Sequence, residues 1–151
     1  MSASQRPSLQ DCNCLAIRQA ARHVTQFYDQ LFAPVGLRAT QFAILNRLRR
    51  DGPMTINALA AALVMDRTTL GRNALPLERD GLIKIEVSAS DGRVKELHLT
   101  KAGERRLLAG REAWERAQAR FTDRFGAKRA TEFRAMLRAV VASDFAAELN
   151  N

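Results

Sequence analysis

Between Thr55 and Leu99 the hydrophobic pattern changes its period, and few small folds accommodate the change. Ile56, Leu59, Ala60 and Leu63 recur every three or four positions, and Leu70 and Leu77 lie seven apart. Ile83, Ile85 and Val87 then alternate with Lys84, Glu86 and Ser88. The first spacing gives a helix one buried face, and the second gives a strand one buried face. Local chemistry divides the helical stretch in two. Thr55 is placed to cap a first helix, Val64 and Met65 form a brief apolar turn, and Asp66 is placed to cap a second helix. That second helix runs from Arg67 towards Asp80 and ends at Gly81, a natural C-terminal stop. Pro76 removes one backbone donor inside it, which predicts a local bend and a regular part ending at Ala74. Ala89-Ser90-Asp91-Gly92 is turn chemistry, and Arg93 to Leu99 supplies a second strand with Leu97 and Leu99 on one face. His98, between them in the alternation, points to solvent.

Two short helices followed by a two-stranded hairpin form a winged helix-turn-helix. The second helix of such a pair fits the major groove of DNA, with its first residues at the base edges. The hairpin tip reaches the flanking backbone or minor groove. Here that helix opens Asp66-Arg67-Thr68-Thr69-Leu70-Gly71-Arg72-Asn73. Arg67, Thr68, Thr69, Arg72 and Asn73 are all competent for phosphate or base contacts. Arg93 at the hairpin tip is the wing candidate, with Asp91 placed to orient it.

The flanks are helical. From Asp11 to Phe32, Ala20, Ala21, Val24, Phe27, Tyr28, Leu31 and Phe32 make one stripe, opened by a Ser8/Asp11 capping box and closed by Pro34 and Gly36. A helix from about Thr40 to Arg49 turns Phe42, Ile44, Leu45 and Leu48 inward and stops at Asp51-Gly52-Pro53. Thr100 caps a long helix to about Phe125, where Leu107, Trp114 and Phe121 lie seven apart near Gly110, Ala117 and Phe125. Gly126 breaks it. A last helix, Lys128 to Leu149, aligns Phe133, Met136, Leu137, Val140, Val141 and Phe145. The fold class is therefore mainly α with a small β-hairpin wing. The expected winged lobe covers about residues 36–100 of a single domain, 1–151, flanked by dimerisation helices over about 11–34 and 101–149. One compact lobe cannot cover so much apolar surface, so a second subunit is expected to do so, in a C2 dimer that spaces two reading helices roughly 34–36 Å apart.

Charge supports a polyanionic partner only by placement. The 151 residues carry 24 basic and 16 acidic side chains, but residues 55–100 hold six of each. No stretch is long and apolar enough to span a membrane, and the polar N-terminus lacks a signal peptide, so a cytoplasmic protein is expected. Two histidines outside any catalytic motif, no glycine-rich phosphate loop and scattered carboxylates argue against an enzyme, and no cofactor is expected.

An ordered series of motifs resembles the MarR family of transcriptional regulators. It comprises Gly36-Leu37-Arg38-Ala39-Thr40-Gln41-Phe42-Ala43-Ile44-Leu45, Leu59-Ala60, Asp66-Arg67-Thr68-Thr69-Leu70 and Leu77-Glu78-Arg79-Asp80-Gly81-Leu82-Ile83. Asp91-Gly92-Arg93 and Leu99-Thr100-Lys101-Ala102-Gly103 follow, and the resemblance runs from about Asp11 to Phe145. It implies a homodimer bound to a palindromic operator in double-stranded DNA, usually as a repressor. Carried over by position, Asp66 to Asn73 face the groove, Thr55 to Asn57 start the supporting helix near the backbone, and Arg93 is a minor-groove arginine held by Asp91. Pro76 and the short tip at Gly92 depart from the pattern.

The resemblance also implies release by a small aromatic or phenolic ligand, for which Arg18, Arg22, His23 and Trp114 are the candidates. A core or interface place is the stronger reading of Trp114, and a surface or interface place that of His23. Cys12 and Cys14 are too close for a disulfide framework, and no nearby histidine makes them a metal site. Their helix N-terminus favours thiolate chemistry, so a thiol-based redox-sensing regulator is one alternative, although ordinary packing is the default for both. A winged helix used only for protein–protein contact is the other.

Overall fold

The computed structural model describes residues 8–147. Helix α1 (Asn13–Phe32) is followed by α2 (Ala39–Asp51), a short strand β1 (Met54–Thr55), α3 (Ile56–Ala62) and α4 (Arg67–Arg79). Strands β2 (Ile83–Val87) and β3 (Lys95–Leu99), then α5 (Lys101–Phe125) and α6 (Ala127–Ala142), complete the order. Residues up to Trp114 form one compact unit and those from Glu115 another, so α5 begins in the first and ends in the second.

The core of the first unit is built from the predicted faces. Ile44, Leu45 and Leu48 of α2, Leu59 and Ala60 of α3, and Leu70, Ala74 and Leu77 of α4 are all buried. Ile83 and Leu97 close the core from the sheet, and Phe32 packs on Phe42 with ring centroids 4.8 Å apart. The sheet has three strands rather than two, in the order β1-β3-β2. Met54 pairs with Leu97 and Thr55 with Glu96, which ties the start of α3 to the central strand of the wing. The second hairpin strand begins at Lys95, not Arg93, because the loop closes through Ser88 N–H to the Val94 carbonyl at 2.7 Å.

Caps locate several ends differently from the sequence reading. The Ser8/Asp11 capping box closes a separate single turn, and α1 starts beyond it with Cys12 as its N-cap. Helix α4 continues through Pro76 to Arg79, where the Asp80 N–H reaches the Pro76 carbonyl at 3.0 Å and buried Leu77 anchors the last turn. Helix α6 stops at Ala142. There the Ser143 hydroxyl donates to the Ala139 carbonyl, and the Asp144 carboxylate accepts from the amides of Ala146 and Ala147. Phe145 therefore lies outside the helix and exposed, and Leu149 lies outside the described residues.

The long helix buries its small residues. Gly103, Leu107, Gly110, Ala113 and Ala117 form the buried line of α5, whereas Trp114 is 38% exposed. A heptad count picks out the largest side chains, but close approach needs the smallest: a Cβ at Gly110 would stand 3.1 Å from the Phe42 ring. On α1 only Phe32 is buried, and Ala20 and Ala21 face outward. In the second unit Phe125 contacts both Phe121 and Phe133, and the Arg129 guanidinium lies 4.4 Å over the Phe125 ring.

Candidate nucleic-acid interface

Helix α4 presents a polar N-terminal turn whose side chains fall into two groups. Asp66 accepts the Thr69 N–H at 2.8 Å and the Thr69 hydroxyl at 2.6 Å, while the Asn73 amide donates to the Thr69 carbonyl at 2.9 Å. The Thr69 hydroxyl, then the Thr69 backbone amide, hold the Asp66 carboxyl below the usual carboxylate range. These three residues shape the helix start. The side chains of Arg67, Thr68 and Arg72 are exposed and have no polar partner among the described residues. Supporting helix α3 begins in the same way, with the Thr55 hydroxyl accepting the Ala58 N–H at 3.1 Å and Asn57 exposed beside it.

The wing tip is braced by its own backbone. Asp91 Oδ1 accepts the backbone N–H of Arg93 at 3.0 Å, and the Val94 N–H reaches the Asp91 carbonyl at 3.1 Å. The carboxylate thus orients Arg93 through the turn rather than by gripping its guanidinium, which is free among the described residues. Two residues missed from sequence complete the brace. The Ser88 and Ser90 hydroxyls lie 3.0 Å apart, the Ser90 N–H bonds Ser88 Oγ at 3.3 Å, and Ser88 is only 6% exposed. Serines two apart at a strand end were the available signal. At the other end of the wing, His98 is half-buried beside Glu96 at 3.6 Å and Glu86 at 4.0 Å, on a polar face rather than free in solvent. A hydrogen bond from Lys84 holds the Glu86 carboxyl below its usual range.

Local contacts engage four of the six acidic side chains in residues 55–100. Arg79 lies 3.2 Å from Asp80, and Lys84 lies 2.7 Å from Glu86. Asp66 and Asp91 are engaged in a cap and a turn. Among the described residues 55–100, the cations left without a partner are Arg67 and Arg72 on α4, and Arg93 and Lys95 on the wing. A surface of neutral composition therefore carries its free positive charge on two neighbouring features suited to a duplex.

The remaining candidates are dispersed. Arg18, Arg22 and His23 are exposed on α1, and among the described residues no hydrogen bond, ion pair or ring contact joins them to Trp114. Cys12 Sγ accepts the Leu15 N–H at 3.4 Å, and Cys14 is exposed. Among the described residues no group of acidic, histidine or cysteine side chains is arranged to hold a metal, and no helix is long and apolar enough to cross a membrane.

The MarR family profile matches residues 37–95, the winged lobe itself. The transcriptional regulator MosR of Mycobacterium tuberculosis, solved in complex with DNA, is 34% identical over 87% of this chain and 97% of its own, with a TM-score of 0.74. The chain belongs to the MarR family. It is accordingly a winged-helix, DNA-binding transcriptional regulator and not an enzyme. The regulator MgrA of Staphylococcus aureus is 28% identical over 102 residues, 67% of this chain and 69% of its own. The transcriptional repressor CouR, bound to a 23-mer DNA duplex, is 25% identical over 93% of this chain and 99% of its own, with a TM-score of 0.78.

Proposed function

We propose that two copies of the chain form a C2 dimer that sets α4 of each into successive major grooves of a palindromic operator and represses transcription there. The observation that carries this reading is the set of unpaired cations, Arg67, Arg72, Arg93 and Lys95, gathered on the reading helix and the wing. Thr68, Thr69 and Asn73 lie in the first two turns of the same helix, Thr55 and Asn57 start the helix behind it, and Asp66 and Asp91 hold the two backbones in shape. Exposed apolar side chains supply a rationale for the dimer: Leu15 and Ile17 on α1, Met136, Val140 and Val141 on α6, and Phe145 just beyond it.

Binding to operator-like palindromes, followed against salt, tests the reading. Arg93→Ala weakens all duplexes alike and lowers the salt slope by about two in the dimer, one contact per chain, whereas Arg72→Ala costs about 1–3 kcal/mol and relaxes one position of the site. Equal affinity of both variants and wild type overturns the placement, and no salt-dependent binding at all favours a protein–protein module. A light-scattering mass of one chain overturns the dimer. Release by a small aromatic or phenolic ligand is the proposed control step, with the dispersed Arg18, Arg22, His23 and Trp114 as separate candidate contacts, checked by titrating such compounds into the complex.

One observation favours a second control. Cys12 Sγ caps α1 by accepting a backbone N–H, so oxidation at that sulfur acts directly on the helix start. Peroxide converts the thiol to a sulfenic acid as its O–O bond breaks and water leaves. An oxidant response of operator binding that survives in Cys12→Ser/Cys14→Ser removes the thiols from this role.

A further inference from the structure

We propose that Leu75 is a specificity-determining residue that reads thymine, packing its isobutyl group on the C5-methyl in the major groove; this rests on α4 being the reading helix. Leu70, Ala74 and Leu77 make the buried stripe of α4. At 100° per residue the opposite stripe is Thr68, Arg72, Leu75 and Arg79, spaced four, three and four. Leu75 is 62% exposed there, although its neighbours Ala74 and Leu77 are 2% and 1% exposed. It therefore adds little to the core. Arg79 is turned onto Asp80 at 3.2 Å, so the unpaired outward stripe ends at Leu75.

The residues before it match the polar atoms of base edges, and Leu75 matches something else. The apolar feature that a major groove displays is the thymine methyl. Leu75 follows Arg72 by three residues on the same face, about 4.5 Å along the helix axis, a separation short enough for the two side chains to reach neighbouring base pairs. Arg72 on a guanine edge and Leu75 on a thymine about one step away make a two-residue reading unit.

The test uses the bound site recovered by selection from random DNA. Each thymine is replaced in turn by deoxyuridine, which keeps every hydrogen-bonding atom and removes only the methyl. Wild type should lose about fourfold in affinity at one thymine per half-site, the value of one buried methyl-sized group. Leu75→Ala should bind the parent site more weakly and show no further loss at that thymine, while retaining losses elsewhere. Its low-salt binding to unrelated duplex should match wild type, which separates lost reading from lost folding. The proposal is overturned if the deoxyuridine effects are the same in both proteins, or if Leu75→Ala changes the mass of the assembly rather than site preference. A protein that binds no duplex at all removes the DNA-reading premise and this inference with it, a result distinct from either.

Discussion

Gly103→Ala sets two physical effects of opposite sign against each other. Gly103 lies in the first turn of α5, and by intrinsic propensity alone alanine there stabilises the helix by roughly 0.8–1.0 kcal/mol. The surroundings forbid it. A Cβ at this position lands on the Leu82 carbonyl oxygen, nearer to it than to Leu99 Cδ1 at 2.7 Å and the Leu82 carbonyl carbon at 2.9 Å. That oxygen is fixed from two directions, by the Thr100 N–H at 3.1 Å and the Thr100 hydroxyl at 3.0 Å. The hydroxyl also reaches the Gly81 carbonyl at 2.7 Å and accepts the Gly103 N–H at 3.0 Å. Neither the carbonyl nor the helix can retreat without breaking this cluster.

Overpacking of a tight site costs about 1–3 kcal/mol. Loss of two hydrogen bonds adds about 1–3 kcal/mol. After subtracting the propensity gain, Gly103→Ala should destabilise the fold by about 3 kcal/mol. With a urea slope of about 1–3 kcal/mol/M, the midpoint falls by roughly 1–3 M at fixed protein concentration. Gly110→Ala is the internal comparison: its Cβ meets Phe42 and Leu37 at 3.1–3.3 Å, so the neighbours need to yield only slightly and the midpoint should move far less. An unchanged or raised midpoint for Gly103→Ala, or a larger loss at Gly110, would refute the steric reasoning.

Val64 occupies the left-handed position of the turn between α3 and α4 at φ 53°, where a β-branched residue is strained, and it is 69% exposed. Val64→Gly should therefore raise stability by about 0.5–1 kcal/mol, read as a higher urea midpoint, because relief of the strain exceeds glycine's added entropy cost. The lowered folded-state pKa of Asp66 means that its capping contribution is present above the unfolded value, about 3.9, and is lost as pH falls through the folded value. Asp66→Asn keeps a cap acceptor but does not titrate, so its stability should show a flatter acid limb than wild type in denaturation series below about pH 4.

What could be read from the residues was what depends on neighbours in the chain. The caps at Thr55, Asp66 and Thr100, the stop at Gly81 and the alternation of Ile83 and Ile85 act within a few positions, and the structure places them as expected. Strand β1 was hidden for the opposite reason. Two residues cannot display a period, and Met54 and Thr55 are a strand only because Leu97 and Glu96, over forty positions away, pair with them. The same holds for α5, where heptad spacing finds the buried Leu107 but also picks the partly exposed Trp114 and passes over the buried Ala113. At the interface, Asp91 was legible as Arg93's orienting residue. Its means, a carboxylate bonded to a backbone amide, depends on how the turn folds back on itself.

The even charge count of residues 55–100 shows why composition could not locate the reader, and it leads to a quantity that can be measured. Four of the six acidic side chains there, Asp66, Asp91, Asp80 and Glu86, are held by Thr69, the Arg93 N–H, Arg79 and Lys84, so these four oppose a phosphate less than their number implies. If Arg72 reads a base, three unpaired cations per chain remain for phosphates: Arg67, Arg93 and Lys95. Two chains then neutralise six phosphates, and log K should fall with log salt at a slope of about −5, measured by fluorescence anisotropy on the selected site. A single bound chain gives about half of that. A slope near −10 would refute the assignment, because it needs about as many phosphate contacts again from helices outside the lobe, such as the arginine-rich α5. Arg93→Ala separates the cases further: it removes two contacts from a dimer and one from a monomer, so the change in slope counts the chains on the duplex.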